Sequence, residues 1–267
     1  MLLCPICGKP LQRQERIFLC PENHSFDIAQ QGYVNLLPVQ QKRSLQPGDT
    51  REQVLSRRAF LEGGFYKPIV DSLCALALRH GCTGPILDAG CGEGYYSMHL
   101  AEALQAELIG LDISKEAVRC AAARYKGPLW LCASAARLPV PDHSIGLLTS
   151  LFALTVPEEF RRALTSNGAF IQVLAAEDHL LGLKSIIYPE LTHKPKQTVP
   201  TLPGFTLVES VPVRFSFTVE GAQVMNLLSM TPHVYRIGKE GADRLRQTDI
   251  LTDTASCMLN LYIPEKG

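Results

Sequence analysis

From residue 67 onward, two apolar periodicities take turns along this chain. A helical spacing over 67–78 gives way to the short apolar run Pro85-Ile-Leu, glycines at 90, 92 and 94, and a second helical spacing in YYSMHLAEALQ. Apolar runs at 107–113, 129–133, 145–150 and 169–174 then alternate with helical patterns at 114–125, 157–164 and 178–187. That order predicts parallel strands joined by crossover helices, the α/β class. Two alternating stretches, 205–217 and 256–263, flank a helical pattern at 222–228 and read as the closing hairpin of a seven-stranded sheet. There is no internal repeat.

Composition supports one large domain with something small beside it. The 267 residues are 46% hydrophobic and 19% charged, which excludes disordered and fibrous classes. No window approaches 18 consecutive apolar residues. The opening MLLCPICGKP lacks the basic flank and long apolar stretch of a signal peptide, so a cytoplasmic protein with no membrane partner is expected. Lys plus Arg and Asp plus Glu both number 26, so net charge does not argue for nucleic acid. The first 60 residues, however, carry eight basic against five acidic side chains.

Nine cysteines, an odd number, argue for reduced thiols rather than a disulfide framework. Those beyond residue 70 lie scattered in apolar stretches and read as core filler. The others are grouped. Cys4-Pro-Ile-Cys7 and Cys20-Pro-Glu-Asn-His24 place three thiolates and one imidazole on two short turns, with LQRQERIFLC between them as a hairpin. Four such ligands suit tetrahedral zinc and leave no open position, so the site is expected to be structural. A segment this short lacks a core of its own, and structural zinc supplies roughly 10–16 kcal/mol of folding energy in finger peptides.

The glycines at 90, 92 and 94 follow a strand and precede a helix, which brings backbone close to a ligand at the strand's carboxyl end. The next apolar strand ends in Asp112, where a carboxylate can accept both ribose hydroxyls of an adenosine. The loop reads GxGxG, with Tyr95 where a dinucleotide fingerprint has its last glycine. Asp88 inside the loop suits the ammonium of an aminoacyl group better than a phosphate. The expected cofactor is therefore S-adenosylmethionine, bound near Asp88, Gly90, Gly92, Gly94 and Asp112.

Longer segments carry a family resemblance: Gly32-Tyr-Val-Asn-Leu-Leu-Pro-Val-Gln40, Lys42-Arg43-Ser44, Pro47-Gly-Asp49, Arg57-Arg-Ala-Phe-Leu61 and Asp88-Ala-Gly-Cys-Gly-Glu-Gly-Tyr-Tyr96. Together they resemble the bacterial 23S rRNA (guanine-N1)-methyltransferases, closely to about residue 100. Beyond that the likeness rests on Arg137-Leu-Pro139, His179, Leu183-Lys184, Ile187-Tyr188 and Met230-Thr-Pro232 with Arg236. The resemblance implies a Rossmann-like methyltransferase domain at 66–267, a zinc-binding domain at 1–35 and a basic linker at 36–65. It also implies cofactor contacts at Tyr66, Gly92, Glu93 and His179. The acceptor would be a hairpin loop of 23S rRNA, held by the zinc domain and the basic segment 42–58, and a homodimer is a further candidate assembly.

The chain departs from the family after the fourth strand, where Phe152-Ala-Leu-Thr155 replaces an aromatic followed by Ala-Pro-Cys. Thr165-Ser-Asn-Gly168 replaces a Lys-Pro-Gly-Gly turn, and Ser134 stands where an acid often precedes Leu-Pro. A member with altered acceptor activity, a small-molecule methyltransferase and a non-catalytic RNA-binding relic are the competing readings. Retention of the glycines and Asp112 weighs against the relic; the zinc knuckle and basic stretches weigh against the small molecule. Asp178, beside His179, is a candidate proton acceptor, with a helix cap as its plainer role.

Overall fold

A computed structural model describes residues 1–38, 47–191 and 195–265 of the protein. Val39, Gln40, Lys42, Arg43 and Ser44, all part of the family-like segments, lie outside the described residues. A small antiparallel sheet comes first, with strands β1 (Leu2–Leu3), β2 (Pro10–Gln14), β3 (Ile17–Leu19) and β4 (Ser25–Asp27) in sequential order. The expected hairpin is β2–β3, turned at Glu15 (φ 47°) and Arg16. It sets Cys4 and Cys7 on one connection and Cys20 and His24 on another.

The large sheet is built from β5 (Tyr33–Asn35), β6 (Ile86–Ala89), β7 (Leu108–Asp112), β8 (Leu129–Cys132), β9 (Ile145–Leu151), β10 (Leu164–Ala175), β11 (Phe205–Glu220) and β12 (Ile250–Pro264). Their order is β11-β12-β10-β9-β6-β7-β8-β5, with β12 antiparallel to both neighbours and the other pairs parallel. The seven expected strands are β6 to β12, including the closing hairpin. The sheet has an eighth because the Gly-Tyr-Val-Asn stretch adds β5 to its edge, pairing Tyr33 with Trp130 and Asn35 with Cys132.

Helices are α1 (Arg51–Glu62), α2 (Lys67–Arg79), α3 (Tyr95–Leu104), α4 (Lys115–Arg124), α5 (Pro157–Ala163), α6 (Leu181–Ile187), α7 (Ala222–Ser229) and α8 (Lys239–Arg246). α1 falls inside the segment expected as a linker. It starts with a capping box: the Gln53 amide donates to the Thr50 hydroxyl, and the Thr50 amide donates to the Gln53 side chain at 2.9 Å.

Contacts cross the expected division at residue 35. The Leu3 amide donates to the Pro139 carbonyl at 2.9 Å, and Tyr33–Asn35 pairs with Trp130–Cys132. Leu2, Leu11 and Phe18 of the small sheet share one apolar cluster with Val34, Leu36, Leu131 and Leu138. A ribbon too small to enclose a core thus buries its apolar face on the larger domain.

Trp130 fills the space between β7, β8 and α3 and is 1% exposed. Its indole nitrogen donates to the Tyr125 carbonyl at 3.1 Å. A Cβ at Gly110 would lie 2.2 Å from the indole ring, and one at Gly94 2.6 Å. Overpacking of this kind costs about 1–3 kcal/mol. Gly110→Ala is therefore expected to lower the unfolding free energy by about that amount in urea titrations, with zinc content unchanged.

Candidate functional site

The carboxyl ends of β6, β7, β9 and β10 open into a cleft of about 880 Å³. It lies where β6 has β7 on one side and β9 on the other, the switch point at which open α/β sheets bind ligands.

The three glycines serve different ends. A Cβ on Gly90 would come 2.5 Å from the Ala153 methyl, and Gly94 accommodates Trp130. Only at Gly92 (φ 56°) is the space open, the nearest atom being Arg57 Nη1 at 3.7 Å. Gly90 and Gly92 line the cleft; Gly94 does not.

Asp112 lines the cleft with its carboxylate already anchored. Oδ2 accepts from the Gly92 amide at 2.9 Å and Oδ1 from the Ser114 amide at 2.8 Å. Burial raises its pKa, and these two amides pull the other way. Each oxygen keeps a lone pair for a further donor.

Asp88 sits elsewhere than its sequence position suggested. It is 2% exposed, accepts from the Ser97 hydroxyl and from Thr149 Oγ1 at 2.8 Å, and does not line the cleft. Burial pushes its carboxyl up to about 6. Its role is to tie α3 and β9 to the base of the loop, which does not match the expected contact with an aminoacyl ammonium.

Glu93 lines the cleft at 2% exposure, and neither of its oxygens has a hydrogen-bond partner. Burial raises its pKa against the pull of Arg124, whose Nη1 stands 3.8 Å away, and of Arg58. A buried carboxylate left without donors is costly, so a ligand that brings donors is favoured there.

Tyr66 and His179 meet across the cleft's other wall, Oη to Nε2 at 3.4 Å. The Ser256 amide donates to His179 Nδ1 at 3.1 Å, which puts the ring's proton on Nε2. That proton faces Tyr66 Oη and leaves the phenol hydrogen free to donate elsewhere. Burial, then Lys184 and Lys196, push the imidazole down to about 4, so it is neutral at physiological pH. Asp178 does not cap α6, whose N-cap is Leu180; it pairs with Arg214 at 2.8 Å and lies outside the cleft lining.

The family resemblance gives the basic segment 42–58 to RNA, and two of its arginines have partners within the protein. Arg57 lines the cleft, pairs with Asp49 and donates to the Met230 carbonyl at 3.3 Å, while Arg58 pairs with Glu62 at 3.0 Å. The Asp49 carbonyl accepts from Ser114 Oγ at 2.7 Å, and Gly48 passes so close that a Cβ would sit 2.7 Å from that of Ser114. The Pro-Gly-Asp motif is thereby explained. His233 Nδ1 bonded to Tyr188 Oη at 2.8 Å was also missed, since nothing local pairs residues 45 apart.

At the ribbon, ligand atoms of Cys4, Cys7, Cys20 and His24 all lie within 4.8 Å of one another. Cys4 Sγ to His24 Nδ1 is 3.6 Å, Cys7 Sγ to Cys20 Sγ 3.6 Å and Cys20 Sγ to His24 Nδ1 3.3 Å. A tetrahedron of zinc ligands with bonds of about 2.0–2.3 Å has edges of this size. Burial raises the Cys20 pKa, but hydrogen bonds at the His24 and Glu22 backbone and the Cys7 and His24 side chains outweigh it and draw the thiol down to about 7. The four residues hold a structural zinc.

Comparison with known proteins supports both parts. A zinc-ribbon family described as "RlmA, N-terminal" matches residues 2–45, and a methyltransferase domain family matches residues 86–169. A "Putative 23S rRNA (guanine-N(1)-)-methyltransferase" from Micromonospora griseorubida is 36% identical over 203 residues, 68% of each chain. One of the same description from Bacillus subtilis is 29% identical over 272 residues, covering 95% of this chain and 94% of its own. A 23S rRNA (guanine(748)-N(1))-methyltransferase from Streptomyces fradiae is 35% identical over 187 residues, covering 68% and 66%.

Two outcomes are expected. Cys4→Ala protein should lose its zinc by elemental analysis and be cleaved faster by protease within residues 1–30, while the larger domain stays folded. His179 refuses a proton that the unfolded chain accepts below its ordinary pKa of about 6.5. The His179 contribution to stability should therefore fall as pH drops from about 6.5 toward about 4, by at most ~1.4 kcal/mol per pH unit, and be flat above, while the raised Asp88 carboxyl contributes a slope of opposite sign below about 6. Urea midpoints for wild type and His179→Gln across that range check it, because Asp88 is common to both proteins: the wild type should lose stability relative to the variant as pH falls, and their difference should be constant above about 6.5.

Proposed function

The chain belongs to the family of 23S rRNA (guanine-N1)-methyltransferases, and from that premise we propose that it methylates N1 of a guanosine presented in a hairpin loop of 23S rRNA. The observation that carries the reading is that a relative named for this reaction aligns with 95% of the chain, zinc ribbon and cleft together. Among the described residues no helix is long and apolar enough to cross a membrane, in keeping with work beside ribosomal RNA.

The cleft's donors and acceptors suit S-adenosylmethionine. The two lone pairs left on Asp112 would take the ribose hydroxyls, and the open side of Gly92 leaves room for the aminoacyl chain. The unpartnered oxygens of Glu93 would accept from the cofactor's donors, while the free Tyr66 hydroxyl hydrogen would meet its carboxylate. Gly90 contributes by close approach to Ala153, and His179 by fixing the direction of Tyr66. When bound, the cofactor supplies an electrophilic methyl on its sulfonium.

What remains for the chain is positioning. The guanine must leave its stack and bring N1 in line with the methyl, so binding and orientation carry most of the rate. Phe152 stands at the cleft's rim, 40% exposed, its ring stacked against His179 with centroids 6.0 Å apart. Its backbone takes a φ of 53°, a conformation that costs a non-glycine residue about 1–3 kcal/mol and collects at functional sites. Leu154 beside it is 67% exposed, where the family pattern has proline. That departure favours a second reading, a different RNA acceptor for the same chemistry.

A methyl on N1 blocks the Watson–Crick edge, so reverse transcriptase should stop at the modified base. Primer extension on 23S rRNA is expected to show a stop that needs both protein and S-adenosylmethionine, and that is lost or weakened with Asp112→Ala. Calorimetry on that variant should show cofactor binding weaker by about 1.5–3 kcal/mol for each hydrogen bond lost to the charged group. Absence of any stop from cofactor-competent protein overturns the guanine reading. A stop gained on Leu154→Pro with Thr155→Cys would then point to the loop.

A further inference from the structure

One wall of the cleft carries two lysines that, among the described residues, have no carboxylate in direct contact. Lys184 on α6 and Lys196 both line it. The ammonium of Lys184 donates to the His179 carbonyl, and that of Lys196 donates to the Ala176 carbonyl at 3.3 Å. Among the described residues neither forms an ion pair with a carboxylate. Asp253 and Asp178 act on Lys184 through space, while their direct bonds go elsewhere. Asp178 faces Arg214, Asp253 accepts from the Gly182 and Leu183 amides at 2.9 and 2.7 Å, and Asp49 holds Arg57.

Two like charges held near each other with no paired counter-ion destabilise the apo protein, and Asp253 and Asp178 offset only part of this, since the pKa of Lys184 stays lowered. Burial and then Lys196 lower the pKa of Lys184, and both lysines, after burial, lower that of His179 and of His233. An arrangement of this kind is favoured only if an anion completes it. The cofactor brings one carboxylate, for which Tyr66 already offers a donor. Lys196 is exposed at the rim, so the anion it serves arrives from solvent. Resting on the RNA reading above, we propose that Lys184 and Lys196 grip a backbone phosphate of the acceptor RNA beside the inserted guanosine. They would set how far the base reaches toward the methyl, a task the paired Arg57 and Arg58 are not free to perform.

The test measures binding of protein-free 23S rRNA over a potassium chloride series, together with methyl-transfer kinetics, for wild type, Lys196→Met, Lys184→Met and the double variant. Met keeps the apolar stem and removes the charge. Lys196→Met is the cleaner variant, because Lys196 does not touch His179. The expected result is a log–log salt slope shallower by about 0.7 for each lysine removed. RNA binding should weaken about tenfold or more in the double variant. The KM for RNA should rise, and S-adenosylmethionine affinity by calorimetry should stay at the wild-type value in Lys196→Met. RNA affinity and salt slope unchanged in a methylating protein overturn the lysine assignment alone. Cofactor affinity lost with RNA binding intact overturns it in favour of the cofactor's carboxylate. No methyl transfer to 23S rRNA by the wild type overturns the functional reading, and the phosphate grip falls with it.

Discussion

The carboxylate of Asp112 is shared between the amides of Gly92 and Ser114, and much of the cleft's closed end hangs on that sharing. Moving a carboxylate out of water is expensive unless donors replace the water, and here two backbone amides do so. The bonds continue outward. The Ser114 hydroxyl accepts from the Ala117 amide to cap α4 and donates to the Asp49 carbonyl, Asp49 pairs with Arg57 on α1, and Arg57 reaches the Met230 carbonyl. One acid at a strand end thus fixes the glycine loop, the entry to α1 and the segment after α7 in one connected arrangement. Loosening any member would move groups that face the cofactor.

Charge is sorted along the cleft. Glu93 and Asp112 stand in its wall at the glycine-loop end with Asp88 buried behind them, all three raised by burial, while Lys184 and Lys196 occupy the opposite wall. S-adenosylmethionine carries a sulfonium and an ammonium against a single carboxylate, and RNA carries only negative charge on its backbone. On the proposed reading, the cofactor's cationic groups would meet the acids at one end of the cleft and the RNA's phosphates the lysines at the other. Discrimination of this sort needs no close steric fit and acts before contact.

Features set by local spacing were legible in the chain. The zinc quartet, the strand–glycine–helix unit and the strands at β8 and β9 follow from residues near one another in sequence, and each of β11 and β12 from the alternation within its own run. What depended on distant partners was not. Tyr33–Asn35 gives no local sign that its partner is β8, and that pairing turns a seven-stranded sheet into eight. Asp88 was read by its place in a motif, whereas Thr149, 61 residues away, decides which way its carboxylate points. Arg57 was read as free charge because Asp49 lies on the far side of a helix start. That helix start, Thr50 to Gln53, did carry a capping-box pattern, and composition had drawn attention to the basic residues instead.

Trp130 is the chain's one tryptophan; its ring is wedged between Gly94 at the end of the glycine loop and Gly110 on β7, and its backbone pairs with Tyr33 of β5. The protein's tryptophan emission therefore comes from a single buried indole whose ring touches the glycine loop and whose own strand pairs with β5. Loop rearrangement and detachment of the edge strand each alter the surroundings of that ring. The molecule carries an intrinsic optical probe at the junction of its two parts, with no label to attach and no second fluorophore of its kind to subtract.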